Sequence, residues 1–443
     1  MFMRRSISAL SLAAMLAGGA ITGFAASLGF HATAMAHTVI HAGRLIIDPQ
    51  KPPLREQSII IADGKIEKIE AGYNDADPQK HEVIDLKNAT VMPGLIDMHT
   101  HLLFELGPQA ALDRVKMSTT DMAMQGALYA KRTLDAGFTT VRDLGGDPEA
   151  IYGLRDAIEK GWVSGPRIIA AGNSISGTGG HADVDGYNAE ILHMMTPDTI
   201  CDGPYDCRRA VRTAVKYGAD VIKITATGGV LSDSATGLMQ QMKDDEIAEI
   251  ISTAHSMGRK VAAHAHGADG INAALEAGID SIEHGSLLDE SSIKLLKKSD
   301  AWLVPTLIAG KTVVDKIREQ DFLPPSIREK ALGLPALVMA NVGKAYKAGV
   351  KIAFGTDSGV SAHGDNAQEF LLLRDLGMKN DEMIATATVN AAQLLGMSDK
   401  LGTIEAGKYA DIIAVSGDPL DNIEALLDVG FVMRAGHVAK NDF

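Results

Sequence analysis

Between about residues 93 and 360, short apolar runs alternate with amphipathic stretches of helical period. Gly or small polar residues mark each changeover. The apolar runs are "VMPGLIDMHTH" (91–101), "TTVRDLGG" (139–146), "PRIIAAG" (166–172) and "DVIKITATGG" (220–229). They continue with "KVAAHAHG" (260–267), "SIEHG" (281–285), "WLVPT" (302–306) and "KIAFGTDSG" (351–359), which makes eight candidate strands. Stretches such as "RRAVRTAVKYGAD" (208–220) and "EIAEIISTAHSMGRK" (246–260) read as helices that enter the next strand through a Gly. Strands alternating with helices of this size predict βαβ units and a parallel sheet. Eight such units predict an α/β fold of the (β/α)8 TIM-barrel type, with chemistry at the C-terminal strand ends. An open doubly wound sheet is the competing fold, but no glycine-rich phosphate fingerprint follows the first strand.

The flanks differ in pattern. "TVIHAGRLIIDP" and "SIIIADGKIEKIEAG" read as strands with a turn at Asp63-Gly64, and "GTIEAGKYADIIAVSGDP" and "GFVMRAGHVAK" have the same character. Segments 37–92 and 399–443 are therefore expected to meet in a small β-sandwich beside a barrel spanning 93–398. Ahead of them, basic "MFMRR" precedes the apolar "ISALSLAAMLAGGAITGFAA", and Ala34 and Ala36 supply an A-x-A motif before His37. Residues 1–36 read as a signal peptide, with an uncleaved anchor as the alternative. Export to the periplasm or outside the cell is expected.

Composition narrows the function. The chain has 443 residues, 46% of them hydrophobic and 22% charged, enough for a large core. A net charge of −14 with no basic run excludes nucleic acid as the expected partner. Cys201 and Cys207, in "CDGPYDC", can close a small disulfide loop in an exported protein. Free thiols or metal ligation are the other readings, and no second pair completes a structural zinc site.

Polar residues interrupt the apolar strands at the end a barrel devotes to chemistry. His99 and His101 share one side of strand one, because side chains alternate along a strand. Two adjacent imidazoles suit one metal ion. Lys223 lies on strand four, His264 and His266 on strand five, His284 on strand six and Asp357 on strand eight. Singly, each has a bland explanation: a core histidine, a helix cap at Asp357, or a lysine paired with Asp220. Together they point to a shared metal site. An ammonium in an apolar strand beside cations is disfavoured, and burial lowers a lysine's pKa. A neutral Lys223 amine could add carbon dioxide and become an anionic carbamate ligand.

These motifs resemble the amidohydrolase superfamily, in its binuclear branch with a carboxylated lysine. "PGLIDMHTH", "TTVRDLGG", "DVIKITATGGV", "VAAHAHG", "DSIEHGS" and "FGTDSG" are similar to the prolidase-like metallocarboxypeptidases and ochratoxin-hydrolysing amidohydrolases. The resemblance implies two divalent metal ions, zinc foremost, with manganese, cobalt and iron compatible with the same donors. His99, His101 and Asp357 would hold one ion and His264 and His284 the other, with N6-carboxylated Lys223 bridging them. Spacing alone does not choose between His264 and His266; the family pattern favours His264. The implied reaction cleaves the amide bond before a C-terminal amino acid in dipeptides or N-acyl amino acids. A metal-bridging hydroxide attacks, and Asp357 is the general acid and base.

His181, on the Gly-rich loop "SGTGGHADVDGYN", and His266 are candidates to meet the substrate's α-carboxylate. Arg142 could serve instead or form a structural ion pair, and His363 has weaker standing. The expected partner is a small molecule or dipeptide, with no membrane contact after signal cleavage, and a homo-oligomer is expected from relatives. Hydrolysis of a cyclic amide or imidazolone is the enzymatic rival. A non-catalytic binding barrel would be expected to have lost one of the six ligand positions, and none is missing.

Overall fold

The apolar run at 91–101 divides at Gly94, and that division organises the molecule. A computed structural model of the chain describes residues 37–74, 77, 81–232, 237–319 and 322–443. The signal-peptide segment, with Ala34 and Ala36, lies outside the described residues. The N-terminal flank supplies β1 (His37–Leu45), β2 (Leu54–Ala62), β3 (Lys65–Ala71) and β4 (His81–Pro93). After the Gly94 break comes β5 (Leu95–Thr100). The Gly94 amide donates to the Asp411 carbonyl at 2.9 Å. A side chain at Gly94 would fall 2.2 Å from Thr139 Oγ1, so only glycine lets the chain pass there.

Downstream, β5, β6 (Phe138–Asp143) and β7 (Arg167–Ala170) pair in parallel. So do β8 (Ile222–Thr225), β9 (Val261–Ala265), β10 (Ser281–His284) and β11 (Trp302–Val304). The eighth predicted segment forms parallel bridges rather than a continuous strand: Ile352 with Leu303, and Ser358 with Thr100. Beyond β7, Ile175 bridges Ile224 of β8. Helices separate the strands as the pattern predicts. Helix Pro204–Tyr217 buries Cys207, Ala210, Val211 and Ala214, and helix Asp244–Ser256 buries Ile247, Ile250, Ile251 and Ala254. Both sets follow the i, i+3, i+4, i+7 spacing of one helical face. Cys201 and Cys207 are joined by a disulfide, which ties the loop before Pro204 to the first turn of that helix. Among the described residues no helix is long and apolar enough to cross a membrane.

The C-terminal flank supplies β12 (Ile412–Val415), β13 (Val429–Arg434) and β14 (His437–Asn441). Both flanks share one seven-stranded sheet of order β14-β13-β12-β4-β1-β2-β3, with β12 antiparallel to β4. Its strands alternate between two apolar cores. Met92, Ile413, Val415 and Val432 join the core of the parallel strands and helices. Their neighbours Val91, Ile412, Ala414, Phe431 and Met433 join a second core with Ile40, Ile59 and Ile66. Being apolar on both faces, these strands lack the polar face of a half-exposed sheet.

Candidate metal centre

Every strand-end histidine predicted from the sequence is brought into one region. His99, His101 and Asp357 offer ligand atoms within 4.8 Å of one another, and so do His264, His266 and His284. Asp357 Oδ1 lies 3.4 Å from His99 Nε2 and 3.2 Å from His101 Nε2. The two groups adjoin: the His99 and His284 ring centroids are 5.0 Å apart. Lys223 is only 4% exposed, and its Nζ is 3.4 Å from His99 Nε2. Asp220, its alternative partner in sequence, instead pairs with Arg155 at 2.8 Å.

Backbone strain shapes the rim. His284, Thr306 and Asp357, near the ends of three successive strand segments, have φ of 69°, 49° and 60°. Left-handed backbone at non-glycine residues costs about 1–3 kcal/mol each and persists only where the surroundings impose it. The gain is visible at Glu283-His284. Successive residues of an extended strand face opposite sides. Here both reach His99: Glu283 Oε2 accepts from its Nδ1 at 2.9 Å, and the His284 ring packs beside it.

Hydrogen bonds assign the ring nitrogens. His99 Nδ1 donates to Glu283 and His101 Nδ1 donates to the Gly145 carbonyl at 2.9 Å, so both Nε2 lone pairs face Asp357. His284 Nδ1 bonds Thr306 Oγ1 and His266 Nδ1 bonds Ser286 Oγ, both at 2.7 Å. His264 is reversed: its Nε2 donates to the Gly228 carbonyl at 3.3 Å, leaving Nδ1 as the free donor atom.

Electrostatics keep most of the donors in the form a metal requires; His101 is the exception, where burial is outweighed by Asp357 and the imidazole is raised. Burial, helped by Lys223, lowers His99 to about 4, and burial with the His181 imidazole lowers His266 to about 3. His264 and His284 are pushed well below the usual range, by burial first and adjacent histidines next. Neutral imidazoles have lone pairs to give. Burial raises the Asp357 carboxyl, but the His99 and His101 rings more than offset it and hold it below its ordinary range. Burial lowers Lys223 to about 8, against the opposing pull of Glu283 and Asp357. The donor set, neutral nitrogens with a carboxylate, fits zinc or another divalent ion of similar preference.

The other sequence candidates separate. The His181 ring stacks on His264 at 4.2 Å, placing its loop at the site. Gly229 lies against this ring; a Cβ there would fall 2.1–2.5 Å from its atoms. His266 joins the His264–His284 group, so geometry does not separate a ligand from a substrate-binding role. His363 is outside both groups, with Nε2 donating to the Phe104 carbonyl at 3.0 Å and its ring stacked on Tyr129. Arg142 is not presented to substrate. It is 2% exposed and donates to Met98 O, Ser281 Oγ and Glu283 Oε1. Its ion-pair partner is Glu283 rather than Asp143, whose carboxylate accepts the Leu102 amide. Glu283, Thr306 and Gly229 went unnoticed in the sequence. A charged residue inside the apolar "SIEHG" was the available signal for Glu283.

Parallel α/β architecture with imidazole–carboxylate groups at strand ends defines a class of hydrolases that work with metal ions. The sequence profile of the amidohydrolase family matches residues 90–439, and the chain belongs to this family. It is a hydrolase. Ochratoxinase from Aspergillus niger is 33% identical over 439 residues, covering 91% of this chain and 86% of that protein. A Xaa-Pro dipeptidase with methionine in its active site superposes with a TM-score of 0.85 at 40% identity, covering 91% of this chain and 99% of that one. A prolidase complexed with N-methylphosphonate-L-proline gives a TM-score of 0.84 at 30% identity over 92% of this chain and all (100%) of that one.

Proposed function

We propose that this chain is a binuclear metal-dependent amide hydrolase that releases a C-terminal amino acid from dipeptides or N-acyl amino acids. The observation that carries this reading is the adjacency of two ligand groups with Lys223 buried against His99. The three bridges at Ile175, Ile352 and Ser358 support closure of the parallel strands into a barrel, with residues 37–92 and 399–443 as the accessory β domain. His99, His101 and Asp357 would hold one ion, and His264 through Nδ1 and His284 through Nε2 the other. A lysine lowered toward neutrality by burial has the free amine that carbamate formation needs, and carboxylated Lys223 would bridge the pair. When bound, two divalent ions lower the pKa of a water molecule and polarise an amide carbonyl.

The chain's own groups then divide the work. Asp357 takes the proton of the attacking water and delivers it to the leaving nitrogen. His181 and His266 donate to the α-carboxylate of the released residue; His181 Nδ1 is buried and lacks a hydrogen-bond partner among the described residues. Relatives that act on ochratoxin or hold methionine or a proline analogue support a C-terminal amino acid as the leaving part.

The test is release of free amino acid from a panel of dipeptides and N-acyl amino acids, ochratoxin A included, with zinc-loaded and chelated enzyme. Chelator-sensitive release of one class of C-terminal residue is expected. No release from any member, with two metals bound per chain, would transfer the assignment to cyclic amides.

A further inference from the structure

We propose that Arg142 and Glu283 form a buried pair that holds the His99 imidazole in one orientation and tautomer for the ligand group it shares with His101 and Asp357. This rests on the metal-centred reading above. The pair lies in the interior, with Arg142 2% and Glu283 0% exposed. Barrel interiors are normally filled by Val, Ile and Leu, and a buried ion pair adds little stability over such residues. Its presence therefore calls for a reason other than packing.

The hydrogen bonds supply one. Arg142 Nε donates to the Met98 carbonyl on β5 at 2.7 Å, immediately before His99. Its other nitrogens reach Ser281 Oγ at 3.1 Å and Glu283 Oε1 at 2.8 Å on β10. Ser281 Oγ also donates to Glu283 Oε1, at 2.5 Å. One carboxylate oxygen is thus occupied, and the other, Oε2, is left for His99 Nδ1 at 2.9 Å. The arrangement fixes Nδ1 as the donor and turns Nε2 toward Asp357 and Lys223.

His99 is also singular. His101, His266 and His284 direct Nδ1 at a carbonyl or a hydroxyl, whereas His99 directs it at a carboxylate. A carboxylate behind an imidazole makes the ring a stronger ligand and locks its plane. Arg142 provides the compensating charge that allows the carboxylate to stay there. Both residues are positioning residues, since neither offers an atom to the ligand group itself.

The experiment is chelator-competition titration of metal-free wild type and Glu283→Gln with zinc, and with cobalt to record visible spectra. Wild type should take two ions. Glu283→Gln should weaken one by about 10–100-fold, the same one weakened in His101→Asn, and change its cobalt spectrum, with the second affinity unaltered. Equal weakening of both ions would mark general loosening and overturn the proposal, as would two unchanged affinities. If Glu283→Gln does not fold, Ser281→Ala decides. It removes one bond from each partner and keeps both charges, so a smaller loss at the same ion supports the pair and no loss overturns it. A wild-type chain that binds no metal would instead overturn the parent reading, and this one with it.

Discussion

Lys223 lies against His99 and His266 belongs to the group with His264 and His284, and substitution should separate their roles. Lys223 is buried against His99, where a charged ammonium would repel any bound cation. Lys223→Ala should leave the fold intact and lower metal content from two ions to one. Activity should fall by more than the about 10–100-fold typical of losing a group behind a ligand. His266→Asn should instead raise KM with both ions and most of kcat retained. Metal analysis beside steady-state kinetics checks both, and loss of an ion in His266→Asn would make His266 a ligand. Residues of this kind were legible in the sequence because an ionisable group inside an apolar strand is conspicuous. Their hydrogen-bond partners were not. Glu283 lies 184 positions from His99, and the His284 ring packs beside the same imidazole through a left-handed turn at His284 that no periodicity announces.

Among the elements, helix Leu307–Glu319 is capped by a buried carboxylate, Glu369, that the proposed chemistry does not use. Both Glu369 oxygens accept amides from its first turn, Leu307 at 2.9 Å and Ile308 at 2.7 Å. The preceding residue, Thr306, is the one that bonds His284. Burial raises the Glu369 carboxyl to about 8, from 4.5 in an unfolded chain, although the two amides oppose the shift. Between those values the folded state keeps a proton that the unfolded state has released. Its contribution is therefore complete below pH 4.5 and lost as pH rises through 8. Glu369's share of the stability of the metal-free protein should fall across this window by at most about 1.4 kcal/mol per pH unit, while the share of the buried neutral histidines rises up to their unfolded value of 6.5. Urea titrations at pH 5 and 8 isolate this share as a difference: the advantage of wild type over Glu369→Gln should shrink from pH 5 to pH 8, and an advantage independent of pH would place the proton elsewhere. The cap of this helix comes from a residue 62 positions later, beyond the reach of any local signal. The eighth strand shows the converse: its sequence is strand-like, yet the structure gives it isolated bridges at Ile352 and Ser358.

For the whole molecule, the question is whether the last strands are an accessory or part of the fold. The flanks could be read as β-rich from sequence, and their sharing of one sheet could not, since β4 and β12 lie over 300 residues apart and pair by register alone. Strand β13 sits between β12 and β14 and feeds both cores. Val429 and Val432 pack with the parallel strands and helices, while Phe431 and Met433 pack with β1, β2 and β3. Truncation after Asp428 exposes the edge of β12 and removes these four buried side chains. At about 1.5–3 kcal/mol for each, the loss is roughly 6–12 kcal/mol, as large as the about 5–15 kcal/mol that usually separates folded from unfolded chains. The truncated chain should therefore fail to accumulate as folded, metal-binding protein, and the intact chain should unfold in one transition by circular dichroism and by fluorescence alike. A soluble truncated protein with native helicity and two bound metals would show instead that the parallel strands and helices stand on their own.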